Sequence, residues 1–296
     1  MFENSWDFRN YLLTILRINI MLLVRNCNSG EIHRKVNKVY KNYDFYVDGG
    51  TGMKKKEHYV WVEDAHIFYQ VIGQGKPLVL LHGNGENHKY FRSQIQFFRR
   101  EYQLILIDTR GHGKSSPGYR RWNFGLLAKD VEAVLECLGV EKAAFLGFSD
   151  GANLALEVAL RSPKRVTSLI LVSGNLNPQG MKMGFYLRTK LMYWFYEKMG
   201  KINQRACLKW QMYGLMACHP HVNEREMSRL KVPVLIIAGE KDLIKESHTR
   251  HIHNLIPNSD LVLVPGAGHM GIYEKPETYN RIIGKFLKKT AAKIEE

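Results

Sequence analysis

Six short apolar runs, each of strand length, are spaced between residues 77 and 269. They are apolar at nearly every position and lack the alternation of a half-exposed strand. Such runs are typical of strands buried on both faces, as in a parallel sheet between two layers of helices. The runs are PLVLLHG (77–83), QLILIDTRG (103–111), AAFLGFS (143–149), SLILVSG (168–174), PVLIIAGEKD (233–242) and DLVLVPGAGH (260–269).

Stretches with a helical pattern separate these runs, at about 88–100, 123–138, 150–161 and 276–289. Two further runs, YVWVED (59–64) and HIFYQVIG (66–73), predict an antiparallel strand pair at one edge of the sheet. Strands that alternate with helices predict an α/β sandwich with right-handed crossovers. The predicted fold class is therefore α/β, with a mostly parallel sheet flanked by helices.

One segment, residues 176–231, breaks this alternation because it has helical character but no strand-like run. It is too long for a plain crossover, so we predict an inserted helical cap that divides a main domain into 53–175 and 232–296. The segment holds seven of the eleven methionines, and flexible thioethers suit an adaptable apolar surface. We expect most of these side chains to pack on the core and a minority to line a pocket.

Residues 1–52 form a predicted N-terminal extension, which the glycine-rich and basic run DGGTGMKKK (48–56) links to the main domain. Within it, residues 11–24 are mainly apolar, and Thr14 and Arg17 fall on the polar stripe of a helical wheel. This pattern predicts an amphipathic helix. A helix that covers its own domain, or an extension without a function, is the simpler interpretation, and peripheral membrane contact is the alternative.

Composition and charge narrow the class of protein. A chain of 296 residues, 45% of them apolar, can bury a sizeable core. The formal net charge is +15, but the basic residues are spread along the chain, so we do not expect nucleic-acid binding. No apolar stretch reaches the roughly 20 residues of a membrane-spanning helix. The four cysteines form no CxxC pair and no zinc spacing, so we expect a cytoplasmic protein without a disulfide framework or a structural metal.

The segment GFSDG (147–151) lies between a strand-like run and a helical stretch. It fits G-x-S-x-G, the sharp turn that presents a serine hydroxyl to a cleft. Gly147 and Gly151 suit this turn because side chains there would collide with the neighbouring strand and helix. We predict that Ser149 is a nucleophile. The simpler alternative is a serine that caps the helix.

A serine nucleophile needs a base, and the base needs an orienting acid. Asp242 ends the fifth run and His269 ends the sixth, and ligands of parallel sheets bind beyond the carboxyl ends of the strands. We therefore predict that His269 is the base and that Asp242 orients it. Glu240 is the lesser candidate for the acid, because it should point to the opposite face of the strand end.

Four motifs of this chain together resemble the α/β-hydrolase family: LLHGNGE (80–86), DTRGHGKS (108–115), GFSDG, and AGEKD (238–242) with GAGH (266–269). The chain order Ser149, Asp242, His269 is also that of the family. The resemblance covers about residues 58–290 and implies an α/β-hydrolase fold with a helical cap.

An oxyanion hole needs backbone donors. One is expected to be the amide of Asp150, which follows the nucleophile, and by the resemblance the other is the amide of Asn84. His82 and Gly83 are then structural. Within the loop 108–115, Arg110, His112 and Ser115 are expected to brace the loop, not to contact substrate.

Asp150 is an unexpected residue beside an oxyanion, because a carboxylate there opposes catalysis unless it turns away, is paired or meets a cationic group. One hypothesis is that Asp150 binds an amino group of the substrate. Otherwise it accepts hydrogen bonds from the surrounding loops.

These residues predict a serine hydrolase that cleaves a small or medium carboxylic ester, or else a thioester or amide, through an acyl-enzyme. Neither a metal nor an organic cofactor is required. Hydrolysis of a carbon–carbon bond by the same triad is an alternative, and so is a small-molecule receptor with slow turnover. Dehalogenation is disfavoured because Ser149 occupies the position of the aspartate nucleophile. Substrate specificity and oligomeric state stay open.

Overall fold

The computed structural model describes residues 58–295, with side chains to residue 291. The predicted N-terminal extension (1–52), the amphipathic helix at 11–24 and the linker at 48–56 lie outside the described residues, and they remain predictions.

The strands of this part of the chain form one sheet. They are β1 (His58–Val62), β2 (Ala65–Ile72), β3 (Lys76–Leu81), β4 (Tyr102–Ile107), β5 (Ala143–Phe148), β6 (Val166–Val172), β7 (Val234–Lys241) and β8 (Ser259–Gly268). Their spatial order is β1-β2-β4-β3-β5-β6-β7-β8. Strand β2 is antiparallel to β1 and β4, and the other neighbours are parallel. The predicted fold class and the antiparallel edge pair are confirmed.

Helices lie on both faces of the sheet and in the segment predicted as a cap. They are α1 (Arg92–Phe98), α2 (Phe124–Leu138), α3 (Asp150–Arg161), α4 (Met183–Met199), α5 (Gln204–Cys218), α6 (Glu224–Met227), α7 (Glu246–Leu255), α8 (Gly271–Glu274) and α9 (Pro276–Glu295). The predicted helical stretches correspond to α1, α2, α3 and α9. The sequence analysis missed α7 because that helix has only two apolar residues, Ile252 and Leu255, which are too few to form an apolar stripe that can be recognised in the sequence.

The apolar runs are explained by burial on both faces. In β3, Leu78 and Leu80 join one core cluster, to which α1 and α9 also contribute, while Val79 and Leu81 join a second cluster with α2 and α3. Because successive side chains of a strand point to opposite faces, both sets must be apolar. The carboxyl ends of the parallel strands are thereby held at one edge of the sheet.

Helices α4, α5 and α6 lie between β6 and β7, inside the segment predicted as a cap. Helices α4 and α5 pack together through stacked rings, Tyr193 on Trp210 and Tyr196 on Tyr213, with centroids 6.2 and 5.5 Å apart. Helices therefore lie where the cap was predicted, and the cap with its limits 176–231 stays a prediction. Among residues 58–295, none of the helices combines the length and apolar character needed to cross a membrane.

Candidate active site

Ser149 lies at the turn between β5 and α3, with φ of 52° and ψ of −119°. A non-glycine residue with positive φ is strained, and such residues occur where the surrounding structure holds a functional side chain in place. The backbone amide of Ser149 donates to the carbonyl of Val172 at 2.8 Å. The hydroxyl does not cap α3, so the helix-cap alternative does not apply.

The two glycines of GFSDG permit the turn. A Cβ atom on Gly147 would overlap the carbonyl of Gly151, and one on Gly151 would overlap the carbonyl of Leu81. The backbone of α3 therefore lies in close contact with the backbones of both β5 and β3. Any side chain at these two positions would push the Ser149 turn out of place.

His269 contacts both of its predicted partners. Its Nε2 atom lies 3.0 Å from Ser149 Oγ, and its Nδ1 atom lies 2.7 Å from Asp242 Oδ1. An ionised carboxylate only accepts hydrogen bonds, so Nδ1 carries the proton and Nε2 is left to accept the serine proton. The structure thus brings together three side chains that are separated by up to 120 positions in the chain.

Asp242 is buried and accepts hydrogen bonds at both oxygens. Ser173 Oγ donates to Oδ2 at 2.6 Å, and the Ile244 amide donates to Oδ1 at 3.0 Å. Burial alone would raise the pKa of Asp242, but the hydrogen bond from His269, followed by those from Ser173 and Ile244, brings the pKa below its ordinary value. The carboxylate is therefore ionised and fixed beside His269.

The loop after β3 that contains Gly83 and Asn84, predicted to supply an oxyanion donor, lies against the Ser149 turn. A Cβ atom on Gly83 would come within 2.9 Å of the Phe148 ring and 3.3 Å of Ser149 Cβ, so glycine permits this approach. The backbone amides of Asn84 and Asp150 are not used by the loop and turn hydrogen bonds found between residues 58 and 295. Both amides are thus available as donors near Ser149.

The Asp150 carboxylate accepts hydrogen bonds from two asparagine side chains. Asn84 Nδ2 donates to Asp150 Oδ2 at 2.7 Å, and Asn153 Nδ2 lies 3.4 Å from Oδ1. Desolvation raises the pKa of Asp150 to about 6, although the hydrogen bond from Asn84 acts in the opposite direction. The alternative in which surrounding loops donate to Asp150 is therefore the arrangement observed. The amino-binding role stays a hypothesis.

A family model described as the alpha/beta hydrolase fold matches residues 76–199. This match, together with the sheet order and the Ser149 turn, identifies the fold. The chain has the α/β-hydrolase fold.

Curated relatives of this α/β-hydrolase match most of its length. The chain is 28% identical to the AB hydrolase superfamily protein YisY of Bacillus subtilis (strain 168), over 77% of this chain and 98% of the relative. It is 25% identical to 3-oxoadipate enol-lactonase 2 of Acinetobacter baylyi, over 77% and 95%. It is also 25% identical to 2-hydroxy-6-oxononadienedioate/2-hydroxy-6-oxononatrienedioate hydrolase 2 of Pseudomonas putida, over 76% and 92%.

Other predicted residues of this α/β-hydrolase make structural contacts. His82 is buried, and its Nε2 accepts the Thr109 amide at 3.0 Å. Burial and the neighbouring His112 lower the pKa of His82 to about 3, so its ring stays neutral. Glu240 is exposed and accepts the amide of Gly266 at 2.8 Å, which leaves it outside the triad.

The loop 108–115 is braced by its own side chains, as expected, through contacts within the loop and with residues outside it. Arg110 donates to both carboxylate oxygens of Asp130, at 2.9 and 2.7 Å, and also pairs with Asp64. Ser115 donates to the backbone carbonyl of Asp108 at 2.6 Å, and His112 Nδ1 lies 3.0 Å from the Arg110 carbonyl. These contacts hold the loop beside the one that contains Gly83 and Asn84.

The sequence analysis missed one residue of the site, Ser173. It directly follows β6, as the last residue but one of the run SLILVSG, at the same sheet edge as the other site residues, and its φ is 58°. Its position after a parallel strand was the available signal, because ligand-side residues gather at these strand ends.

Within residues 58–295, no group of three His, Cys, Asp or Glu side chains is placed to hold a metal ion.

Proposed function

We propose that this hydrolase cleaves a small or medium carboxylic ester through an acyl-enzyme formed on Ser149. One observation carries the proposal: His269 bridges the Ser149 hydroxyl and the Asp242 carboxylate with contacts of 3.0 and 2.7 Å. Both are within the range required for proton transfer by a general base and for its orientation.

The reaction proceeds in two halves. His269 Nε2 accepts the Ser149 proton while Oγ attacks the carbonyl carbon, and the amides of Asn84 and Asp150 donate to the oxyanion. The same imidazole then gives its proton to the leaving alkoxide, and the acyl group remains on Oγ. A water molecule deprotonated by His269 then attacks the acyl carbon, and the imidazole gives this proton to Ser149 Oγ as the bond between Oγ and the acyl carbon breaks, which releases the acid and free Ser149. The steps use protein groups and water.

The relatives support the assignment of this chain as a hydrolase, but they differ in the type of bond that they hydrolyse. An enol-lactonase opens a lactone, which is a cyclic ester, and its likeness to this chain favours the ester assignment. The Pseudomonas putida relative is named as a hydrolase of oxononadienedioates, so the carbon–carbon alternative needs a direct test.

Labelling and turnover test the proposal together. A fluorophosphonate probe should label the wild-type protein and fail to label Ser149→Ala, with Ser247→Ala, an exposed serine of α7, as the matched control. A panel of nitrophenyl esters from acetate to decanoate should show turnover that Ser149→Ala loses almost completely. Ester turnover by the Ser149→Ala variant would contradict the assignment of Ser149 as the nucleophile.

The same experiment separates the alternatives. Labelling without turnover of any ester, together with a rise in Tm on addition of a small molecule, supports a receptor. Turnover of vinylogous diketones in preference to esters supports the carbon–carbon hydrolase.

A further inference from the structure

The outer face of α4 is apolar and exposed. Five large apolar side chains of this helix are 46–62% exposed, and they lie three or four positions apart, with Trp194 and Phe195 adjacent, so they lie along one side. Met199, 39% exposed, ends the helix, and Ile202, 82% exposed, extends the row beyond it. The outer stripe is defined as Met183, Leu187, Leu191, Trp194, Phe195, Met199 and Ile202.

The core does not need these side chains. The opposite side of α4 packs inward: Thr189 is buried, and Tyr193 and Tyr196 stack on rings of α5. A helix at a protein surface normally presents polar residues outward, whereas α4 is apolar on both sides. An exposed apolar row of this length marks a surface that contacts something else.

Unpaired positive charge surrounds the outer stripe. The exposed basic residues in and beside α4 are Lys182, Arg188, Lys190, Lys198 and Lys201. Among residues 58–295, these five side chains form no ion pair with a carboxylate. From residue 182 to residue 209 the chain has seven Lys or Arg and one acid, Glu197, a net charge of +6.

The positive charge around the outer stripe indicates which of the possible partners binds there. A second copy would bring a surface of the same sign, and like charges repel. Residues 1–57 contain ten Lys or Arg and six acids, a net charge of +4, so that segment is also of the wrong sign. Anionic phospholipid headgroups are of the opposite sign, and a bilayer also accepts apolar side chains.

We propose that the outer stripe docks this protein on an anionic phospholipid surface. The apolar side chains enter the boundary between headgroups and acyl chains, and the basic residues contact the headgroups. Trp194 suits the interface because its ring is apolar with one polar atom, and Lys198 can extend its ammonium group to the headgroups. Helix α4 packs on α5, and the Met212 carbonyl of α5 accepts a hydrogen bond from Asn84 of the candidate site. Docking through the outer stripe therefore turns the cap side of the site toward the lipid.

Vesicle sedimentation with the full chain tests this inference. We expect the protein to bind vesicles of phosphatidylcholine mixed with phosphatidylserine at least about tenfold more tightly than pure phosphatidylcholine vesicles. The double variant Leu187→Ser/Leu191→Ser should weaken binding to the mixed vesicles by about tenfold or more. Lys198→Glu should weaken binding to the mixed vesicles and leave binding to pure phosphatidylcholine unchanged.

Phe97→Ser is the matched control, because Phe97 is 53% exposed but belongs to α1, and it should bind as the wild type does. Each variant is used only if its Tm and its labelling by the fluorophosphonate probe match the wild type. Equal binding of the wild type to both kinds of vesicle, or unchanged binding of the double variant, overturns the proposal. A wild-type dimer in analytical ultracentrifugation that the double variant abolishes would assign the stripe to a second copy instead.

Discussion

The side-chain amide of Asn84 joins the nucleophile turn to the cap, because it donates to Asp150 Oδ2 at 2.7 Å and to the Met212 carbonyl at 2.9 Å. Asn84 lies in the loop after β3, Asp150 follows Ser149, and Met212 lies in α5. The backbone amides of Asn84 and Asp150 are also the proposed oxyanion donors. One side chain thus fixes the relative positions of both donors and of the helix that covers them.

Asn84→Ala tests this joint without removing either backbone donor. It leaves the enclosed Asp150 carboxylate without its shortest hydrogen bond, so we expect the free energy of unfolding to fall by about 1–3 kcal/mol, with a lower kcat. In an Asp150→Asn background the loss should be smaller by about 1 kcal/mol, because no charge is left unpaired. Urea denaturation of the four proteins measures the difference. Equal losses in both backgrounds would mean that Asn84 acts through Met212 alone.

Ser173 is expected to position the acid of the triad. Removing its hydroxyl takes a hydrogen bond from a buried carboxylate, so kcat/KM should fall by roughly tenfold to a hundredfold. The pKa of Asp242 should rise, because a hydrogen bond to its ionised form is lost. Ser173→Gly and Ser173→Ala form a matched pair because both lack the hydroxyl, while glycine accepts the positive φ more easily. A kcat/KM equal to the wild-type value in both variants would refute the positioning role.

His248 should make the protein sensitive to mild acid. Its Nε2 accepts the Leu176 amide at 3.0 Å, at the start of the cap segment, and only a neutral ring can do so. Burial, and then the nearby His251, lower the pKa of His248 to about 4. As the pH falls below about 6.5, the unfolded chain takes up a proton that the folded protein refuses, so stability present at neutral pH is lost progressively towards pH 4.

His248→Gln keeps an acceptor for the Leu176 amide but does not titrate. Its loss of unfolding free energy between pH 8 and pH 5 should be smaller than that of the wild type, by on the order of 1 kcal/mol. Chemical denaturation at both pH values measures the two losses. Parallel losses in the two proteins would show that His248 does not control acid stability.

Gly151→Ala and Gly184→Ala compare a glycine required by packing with one that is not. The alanine methyl at residue 151 would overlap the Leu81 carbonyl, so we expect loss of folded protein or of unfolding free energy by more than about 3 kcal/mol. A methyl at residue 184, in α4, meets nothing within 4 Å. Gly184→Ala should therefore be as stable as the wild type or up to about 1 kcal/mol more stable. Thermal melts of both variants check the contrast, and a stable Gly151→Ala would contradict it.

The sequence by itself determined the sheet and the identity of the candidate triad. The core strands are buried on both faces, so each is a continuous apolar run that is visible without coordinates, and Ser149, Asp242 and His269 each follow such a run. Helix α7 was missed because it has only two apolar residues, Ile252 and Leu255, among mostly polar ones.

Only the tertiary structure decided which side chains meet across these runs. The contacts of Ser173 with Asp242, and of Asn84 with Asp150 and Met212, join residues 69, 66 and 128 positions apart. Hydrogen bonds at such separations depend on how strand ends and the cap pack, which local patterns do not encode. The exposure of the outer stripe of α4 is likewise a property of the packed molecule. An apolar helix can be buried in the core or can lie at the surface, and its sequence pattern is the same in both cases.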